Sequence, residues 1–364
     1  MKCTVNPKQL LEELRMLKEV YASNKNEFYY PTIELRVKKN FLNLQLSSLD
    51  GEVSLLHRIA IDENGSEGYL SVDLMEFFEL ISEFRRLEFI TLTYCYPELI
   101  IYDPVGVDYA MMANQYEPMV FAQMEEGSAS GQLQLPFLKE VVTDAITVSQ
   151  RNALDEFKHN VSFEWSKEGV SFNAFNESQI IHSVHWVSEA SIHEAFHLTL
   201  NLSQLNNLKK WLMGFKKEAY LGIKMNRTQV ILYTPNRFIH LKGVEKLNYL
   251  TFDLEGLLKS IIFSNWSVDL SVLNEQITQW VQQKKSATQL VFIDETGCFS
   301  ETETGIGIGF RELKEAFKSA AISSEYSISI SNDLVNYPMI CIAKQTKGGV
   351  ESRYLSIIPK VAGR

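Results

Sequence analysis

LQLPFLKEVVTDAITVS, residues 133–149, sets a short alternating apolar lead against Pro136 and follows it with an amphipathic run. Proline fits the first turn of a helix, where its missing N–H is not needed, so the stretch reads strand, break, helix. The same pattern occurs in TVNPKQLLEELRMLKEV (4–20), broken at Pro7, and in LTFDLEGLLKSIIFS (250–264), broken at Asp253, a capping residue type. A second trio lies between them: YLSVDLMEFFELISEF (69–84), LNLSQLNNLKKWLMGF (200–215) and IGFRELKEAFKSAA (308–321), with boundaries at Ser71, Asn201 and Gly309. Alternating runs broken by turn residues follow each helix, as in antiparallel meanders.

A motif that recurs at wide, similar spacing marks a repeat architecture. The expectation is an α+β chain of three tandem domains, each with two helices packed on antiparallel sheet. Their bounds are 1–126, 127–250 and 251–364, and the small-residue stretch EEGSASGQ (125–132) supplies the first linker.

Composition narrows the function classes. The formal charge of −10, from 45 acidic and 35 basic residues, excludes a blanket attraction to nucleic acid, so any such affinity must come from a local basic face. Cys3, Cys95, Cys298 and Cys341 are scattered without close pairing, which suggests neither a disulfide framework nor a thiolate zinc site. The N-terminus turns polar at once and no apolar run approaches membrane-spanning length, so a cytoplasmic setting without a membrane partner is expected.

Three tandem domains of two helices each resemble the bacterial DNA polymerase sliding clamp, the beta subunit of DNA polymerase III. The opening MKCTV, the segment 133–149, IGIGFRELKEAF (306–317) and the closing RYLSIIPKV (353–361) are each similar to the corresponding part of that family. The resemblance implies the DNA-clamp fold and a head-to-tail homodimer, a six-domain ring whose twelve helices line a hole for duplex DNA. Such a ring tethers its polymerase topologically and needs neither catalytic residue nor cofactor. The departure is SVDLSVLNEQITQWVQQKK (267–285), which reads as an amphipathic helix where the family has strands.

A ring around DNA requires basic inner helices even in an acidic protein, because phosphate attraction is local and independent of sequence. The stretch 201–217 carries Lys209, Lys210, Lys216 and Lys217 with no acidic residue, and the last repeat helix carries Arg311, Lys314 and Lys318 against Glu312 and Glu315. Lys25 and Arg151 fall where the family reaches DNA through loops. Against this, DLMEFFELISEF (73–84) holds Asp73, Glu76, Glu79 and Glu83 with no base before Arg85.

The family binds short linear peptides of polymerase and clamp-loader subunits in an apolar pocket between its second and third domains. The resemblance places Phe175, Ile180, Leu247, Phe252, Ile358 and Pro359 there. The family's Gly-His-Arg is replaced by Glu177-Ser178-Gln179, and KVAGR extends past the usual end.

Two strings offer competing chemistry. His193-Glu194-Ala195-Phe196-His197 satisfies the H-E-x-x-H pattern of zinc hydrolases, which needs both histidines one helical turn apart. The following LTLNL alternates with period two, so a strand is expected and no metal is assigned. GIGIG (305–309) lacks G-x-G-x-x-G spacing and fits a strand entering the last repeat helix. A clamp-fold module that binds proteins without encircling DNA is the second reading kept, and a zinc hydrolase through HEAFH is the third, less favoured one.

Overall fold

The computed structural model describes residues 1–23, 32–48, 50–61, 65–115, 121, 128–149, 161–167, 169–175, 179–187, 196–244, 254–283, 290–294, 296–300, 306–317, 326–345 and 348–358. The chain begins with β1 (Lys2–Val5), α1 (Pro7–Ser23), β2 (Thr32–Lys38), β3 (Phe41–Ser47), β4 (Val53–Ala60) and β5 (Gly68–Asp73). It continues through α2 (Leu74–Glu83), β6 (Ile90–Cys95), β7 (Glu98–Tyr102) and β8 (Asp108–Met112). The second repeat supplies β9 (Ala129–Gln134), α3 (Leu135–Ser149), β10 (Val161–Ser166), β11 (Gly169–Phe175) and β12 (Gln179–His185). It then adds β13 (Phe196–Leu200), α4 (Leu202–Met213), β14 (Tyr220–Met225), β15 (Gln229–Tyr233) and β16 (Arg237–Lys242). Next come α5 (Leu254–Ser260), β17 (Phe263–Asn265), α6 (Leu270–Gln282), β18 (Leu290–Ile293), β19 (Phe299–Ser300) and β20 (Ile306–Gly309). The chain closes with α7 (Phe310–Phe317), β21 (Tyr326–Ser331), β22 (Met339–Gln345) and β23 (Gly349–Ile358).

The helices begin where capping chemistry dictates. Asn6 Oδ1 accepts from the backbone N–H groups of Lys8 and Gln9 ahead of α1, at 2.9 and 3.1 Å. Asp73 caps α2, Asp269 caps α6, and Asn201 forms a reciprocal capping box with Gln204 on α4.

Two compact units emerge, residues 1–142 with 187–244, and residues 143–186 with 245–364. In the first, β1-β6-β7-β8 form one antiparallel sheet and β5-β2-β3-β4-β16-β15-β14-β9 form another. The ladder from Arg237↔His57 to Leu241↔Val53 joins β16 to β4, so the first two repeats share a sheet. Leu10, Leu14 and Leu17 of α1, one face at helical spacing, are fully buried with Phe77 and Ile81 of α2 and Leu208 and Trp211 of α4. Lys18 lies over the Phe78 ring at 4.3 Å, tying α1 to α2. A Cβ on Gly214 would come within 2.3 Å of the Met16 side-chain end, so the end of α4 packs closely on α1 and a larger residue there would have to displace that methionine.

In the second unit β10-β11-β12 continue into β23, which also pairs with β22 and, at its end, with β20. The β12–β23 ladder runs from Gln179↔Leu355 to His185↔Gly349 and joins the second repeat to the third. The middle repeat thus contributes its strands to two shared sheets, which is why the compact units cut through it.

The third repeat corrects one sequence expectation. In the first two repeats the strand that leads into the first helix pairs with the strand that follows the second helix, β1 with β6 and β9 with β14. Its counterpart is β17, which pairs with β21, and the helix after β17 is α6. Leu273 and Ile277 of α6 are buried in one cluster with Phe310, Leu313 and Phe317 of α7. The stretch 250–264 carries the strand-break-helix pattern, but its helix α5 stops at Ser260 and its end becomes β17. The amphipathic helix expected within 267–285 is α6, and it occupies the place of a first repeat helix. Beyond it, β20-β18-β19 repeat the order β5-β2-β3.

Candidate nucleic-acid and peptide interfaces

The candidate DNA-facing cations divide by element. Lys210 is exposed on the last turn of α4 and Lys209 is half-buried. Lys216 and Lys217 lie past the end of α4, exposed, so they extend its basic end as a turn and not as helix. Arg311 and Lys314 are exposed on α7, where Arg311 Nε stands 3.5 Å from Glu315 Oε1, one helical turn on. Lys25, Arg151 and Lys318 lie outside the described residues.

The other helices are not basic. Glu76, Glu79 and Glu83 form an exposed stripe along α2, as the sequence indicated. On α1, Lys8, Glu12, Arg15 and Glu19 alternate in sign along one exposed face. Helix α3 is almost wholly covered, with Pro136 its exposed residue. Its Lys139 donates to the Phe215 carbonyl at 2.7 Å, and burial pulls that ammonium below its ordinary pKa. Among the described residues, cationic surface on the helices therefore concentrates at the end of α4, whereas Arg311 and Lys314 of α7 are offset by the half-buried Glu312 and Glu315.

The candidate peptide pocket is partly assembled. Phe175 and Ile180 face each other across β11 and β12, and Tyr354 of β23 stands opposite Ile180. These three make a row across three strands, with Phe175 36% exposed at its end. The Phe263 ring centroid lies 5.6 Å from that of Tyr354, extending the apolar strip. Ile358 ends β23, paired through its backbone with Gly307. Leu247, Phe252 and Pro359 lie outside the described residues. Phe263 and Tyr354 were missed in the sequence because their places on the face depend on strand register, which composition does not set.

The described residues of the two strings with competing chemistry lie on strands. Phe196–Leu200 is β13, with His197 exposed and Leu198 and Leu200 buried. His197 is thus not on the helical turn that H-E-x-x-H requires, and His193 and Glu194 lie outside the described residues. Ile306–Gly309 is β20, running directly into α7.

Compared with solved structures, the chain is similar along nearly its whole length to beta clamps. A Helicobacter pylori beta clamp in complex with diflunisal is 14% identical at a TM-score of 0.72, covering 99% of this chain and 100% of that one. The DNA polymerase III beta subunit of Thermotoga maritima is 14% identical at 0.68, covering 98% and 99%. A Helicobacter pylori beta clamp bound to a DNA ligase peptide is 15% identical at 0.70, covering 99% and 100%. The fold is that of the DNA polymerase III beta clamps. No protein-family model matches the sequence, and no curated protein matches it. The similarity lies in the backbone, at an identity where few side chains coincide.

Proposed function

We propose that the chain is a DNA sliding clamp, a non-catalytic processivity factor that works in the cytoplasm as a head-to-tail homodimer around duplex DNA. The observation that carries this reading is the edge of β8. The last strand of the second repeat, β16, pairs with β4, and the last strand of the third, β23, pairs with β12. Among the described residues the corresponding strand of the first repeat, β8, pairs along its length with β7 alone. Asp108, Tyr109, Ala110 and Met112 are exposed along it. A second copy's third repeat would supply the missing neighbour, and repeating that contact twice closes a ring.

In this reading the three domains divide as 1–126, 127–250 and 251–364, although the strand pairing of β17 favours a later start for the third. Lys209, Lys210, Lys216, Lys217, Arg311 and Lys314 hold the phosphates from helices and turns, joined by Lys25, Arg151 and Lys318. Phe175, Ile180, Leu247, Phe252, Ile358 and Pro359 form the peptide pocket for polymerase and clamp-loader segments, a reading supported by a Helicobacter pylori beta clamp of this fold bound to a DNA ligase peptide. A ring needs no cofactor.

The test is retention on DNA. The protein loaded on a nicked circle should stay bound in high salt and leave when the circle is cut, since topology outlasts screening. A strict monomer at micromolar concentration that is never retained overturns the reading. That outcome, with peptide binding intact, would favour a clamp-fold protein module, the alternative suggested by the acidic stripe of α2.

A further inference from the structure

A buried polar cluster occupies the joint between the first and second repeats, inside the first compact unit. Glu13 of α1 accepts from Arg237 of β16 at both oxygens, from Nη2 at 2.7 Å and from Nε at 2.9 Å. His57 of β4, 0% exposed, places Nδ1 2.8 Å from Glu13 Oε2. Trp211 of α4, also 0% exposed, donates Nε1–H to His57 Nε2 at 3.2 Å. Two helices and two strands, one of each from either repeat, thus meet at one carboxylate and one imidazole.

The chemistry fixes the proton. An indole N–H only donates, so His57 Nε2 must be the bare nitrogen and the ring proton must sit on Nδ1, facing Glu13. Among the described residues the other charged groups against the cluster bear on Arg237: Glu12 of α1 and Glu218, past α4, each lie 3.6 Å from it. A second proton on His57 would aim an N–H at the Trp211 N–H and place a new cation beside Arg237.

We propose that this cluster is a proton-gated latch, which holds the β4–β16 joint closed while His57 is neutral and releases it when His57 is protonated. In the released state the imidazole meets water and takes up a proton near its ordinary pKa of about 6.5, whereas in the closed state it resists. Burial pulls the His57 pKa down and Arg237 adds to this, outweighing the opposing pull of Glu13. The released state binds more protons, so falling pH favours opening. The other joint has an arginine in a comparable role, Arg353 of β23, which bonds Glu351 at 2.7 Å and Asp144 of α3. There the arginine's partners are carboxylates and not an imidazole.

Amide hydrogen exchange on the full chain tests the latch without DNA, so its outcome is separate from the clamp reading. Between pH 7.5 and 5.5, after correction for intrinsic exchange, opening of the β4 and β16 amides should rise in the wild type by up to about tenfold per pH unit more than in His57→Gln. The β12–β23 amides should respond alike in both proteins, and His240 of β16 is common to both and cancels. Equal pH responses of the β4 and β16 amides overturn the proposal. Should His57→Gln fail to fold, the wild-type ring nitrogens decide by NMR. A neutral Nδ1–H ring persisting below pH 6 supports the latch, and a ring that titrates at about 6.5 within the closed state overturns it.

Discussion

Arg237 and His57 stand directly opposite each other where β16 meets β4, and both reach the same carboxylate, Glu13. Burial alone would raise the Glu13 carboxyl, but hydrogen bonds from His57 and Arg237 outweigh it and hold the group below the usual carboxylate range. The joint between repeats is therefore a sheet ladder on one side and a charged cluster on the other, and each implies a separate measurement.

Removing one member of the buried pair should cost more than removing both. Arg237→Met leaves Glu13 charged and nearly enclosed, a loss of about 3–5 kcal/mol in urea unfolding. Glu13→Leu combined with Arg237→Met should recover part of that, since neither charge is then stranded. Strict additivity of the two single losses would show that the pair does not act as a unit.

A second buried imidazole sets an acid limit on stability. His240 Nε2 lies 2.7 Å from Gln229 Oε1, and burial, with the nearby Lys242 charge, pulls its pKa down to about 4. The unfolded chain takes up this proton near pH 6.5 while the folded chain refuses it until about pH 4. Stability contributed by His240 is thus complete above pH 6.5 and drains away between 6.5 and 4, by about 3 kcal/mol at most. Denaturation midpoints of the wild type and His240→Gln, measured across that range, should converge as the pH falls.

The repeat was legible in the sequence because its signals are local. Pro7, Pro136 and Asn201 sit at helix starts, and the alternation after His197 marks β13. What misled the reading of 250–264 was also local: its pattern matches a repeat start, yet α5 is only 7 residues long. The competing helix has Asp269 as its cap and Leu273 and Ile277 at core spacing, and only the pairing of β17 with β21 shows which one fills the repeat's place. The cluster at Glu13 was not legible, since its members are separated by up to 224 positions. Nothing in the spacing of Glu13, His57, Trp211 and Arg237 predicts that a shared sheet brings them together.

The reassigned helix can be checked by truncation. Leu273 is 0% exposed within the third-repeat core, so Leu273→Ala should cost about 2–5 kcal/mol, a range set by how far the cavity relaxes. Val281, 39% exposed at the helix end, gives the control, and its alanine variant should change stability by about 0.5 kcal/mol or less. Similar small effects at both positions would remove α6 from the core.

The basic end of α4 should govern the salt dependence of duplex binding. Replacing Lys210, Lys216 and Lys217 by Gln removes three candidate phosphate contacts, each worth roughly 0.9 in the slope of log affinity against log salt. The loss should be uniform across DNA sequences, as expected of phosphate contacts. An unchanged slope would place the duplex elsewhere on the molecule.

The edge of β8 bears on assembly most directly. Met112 is 63% and Tyr109 40% exposed on a strand whose counterparts in the other two repeats are covered by neighbours. An uncovered edge strand with apolar side chains promotes pairing with another chain, and natural proteins guard such edges with charge. Introducing that guard by Tyr109→Asp with Met112→Asp should leave the fold intact, because Met112 is mostly solvated and Tyr109 gives up only its edge contact with Phe84, ring centroids 5.0 Å apart. In a closed ring the same charges would be buried against the partner's strand without a counter-charge, at a cost of several kcal/mol per contact, and a ring makes the contact twice. Light scattering should therefore show the wild type as a dimer and the double variant as a monomer with unchanged circular dichroism. A variant that stays dimeric would move the assembly surface away from β8 and remove the main support for a ring.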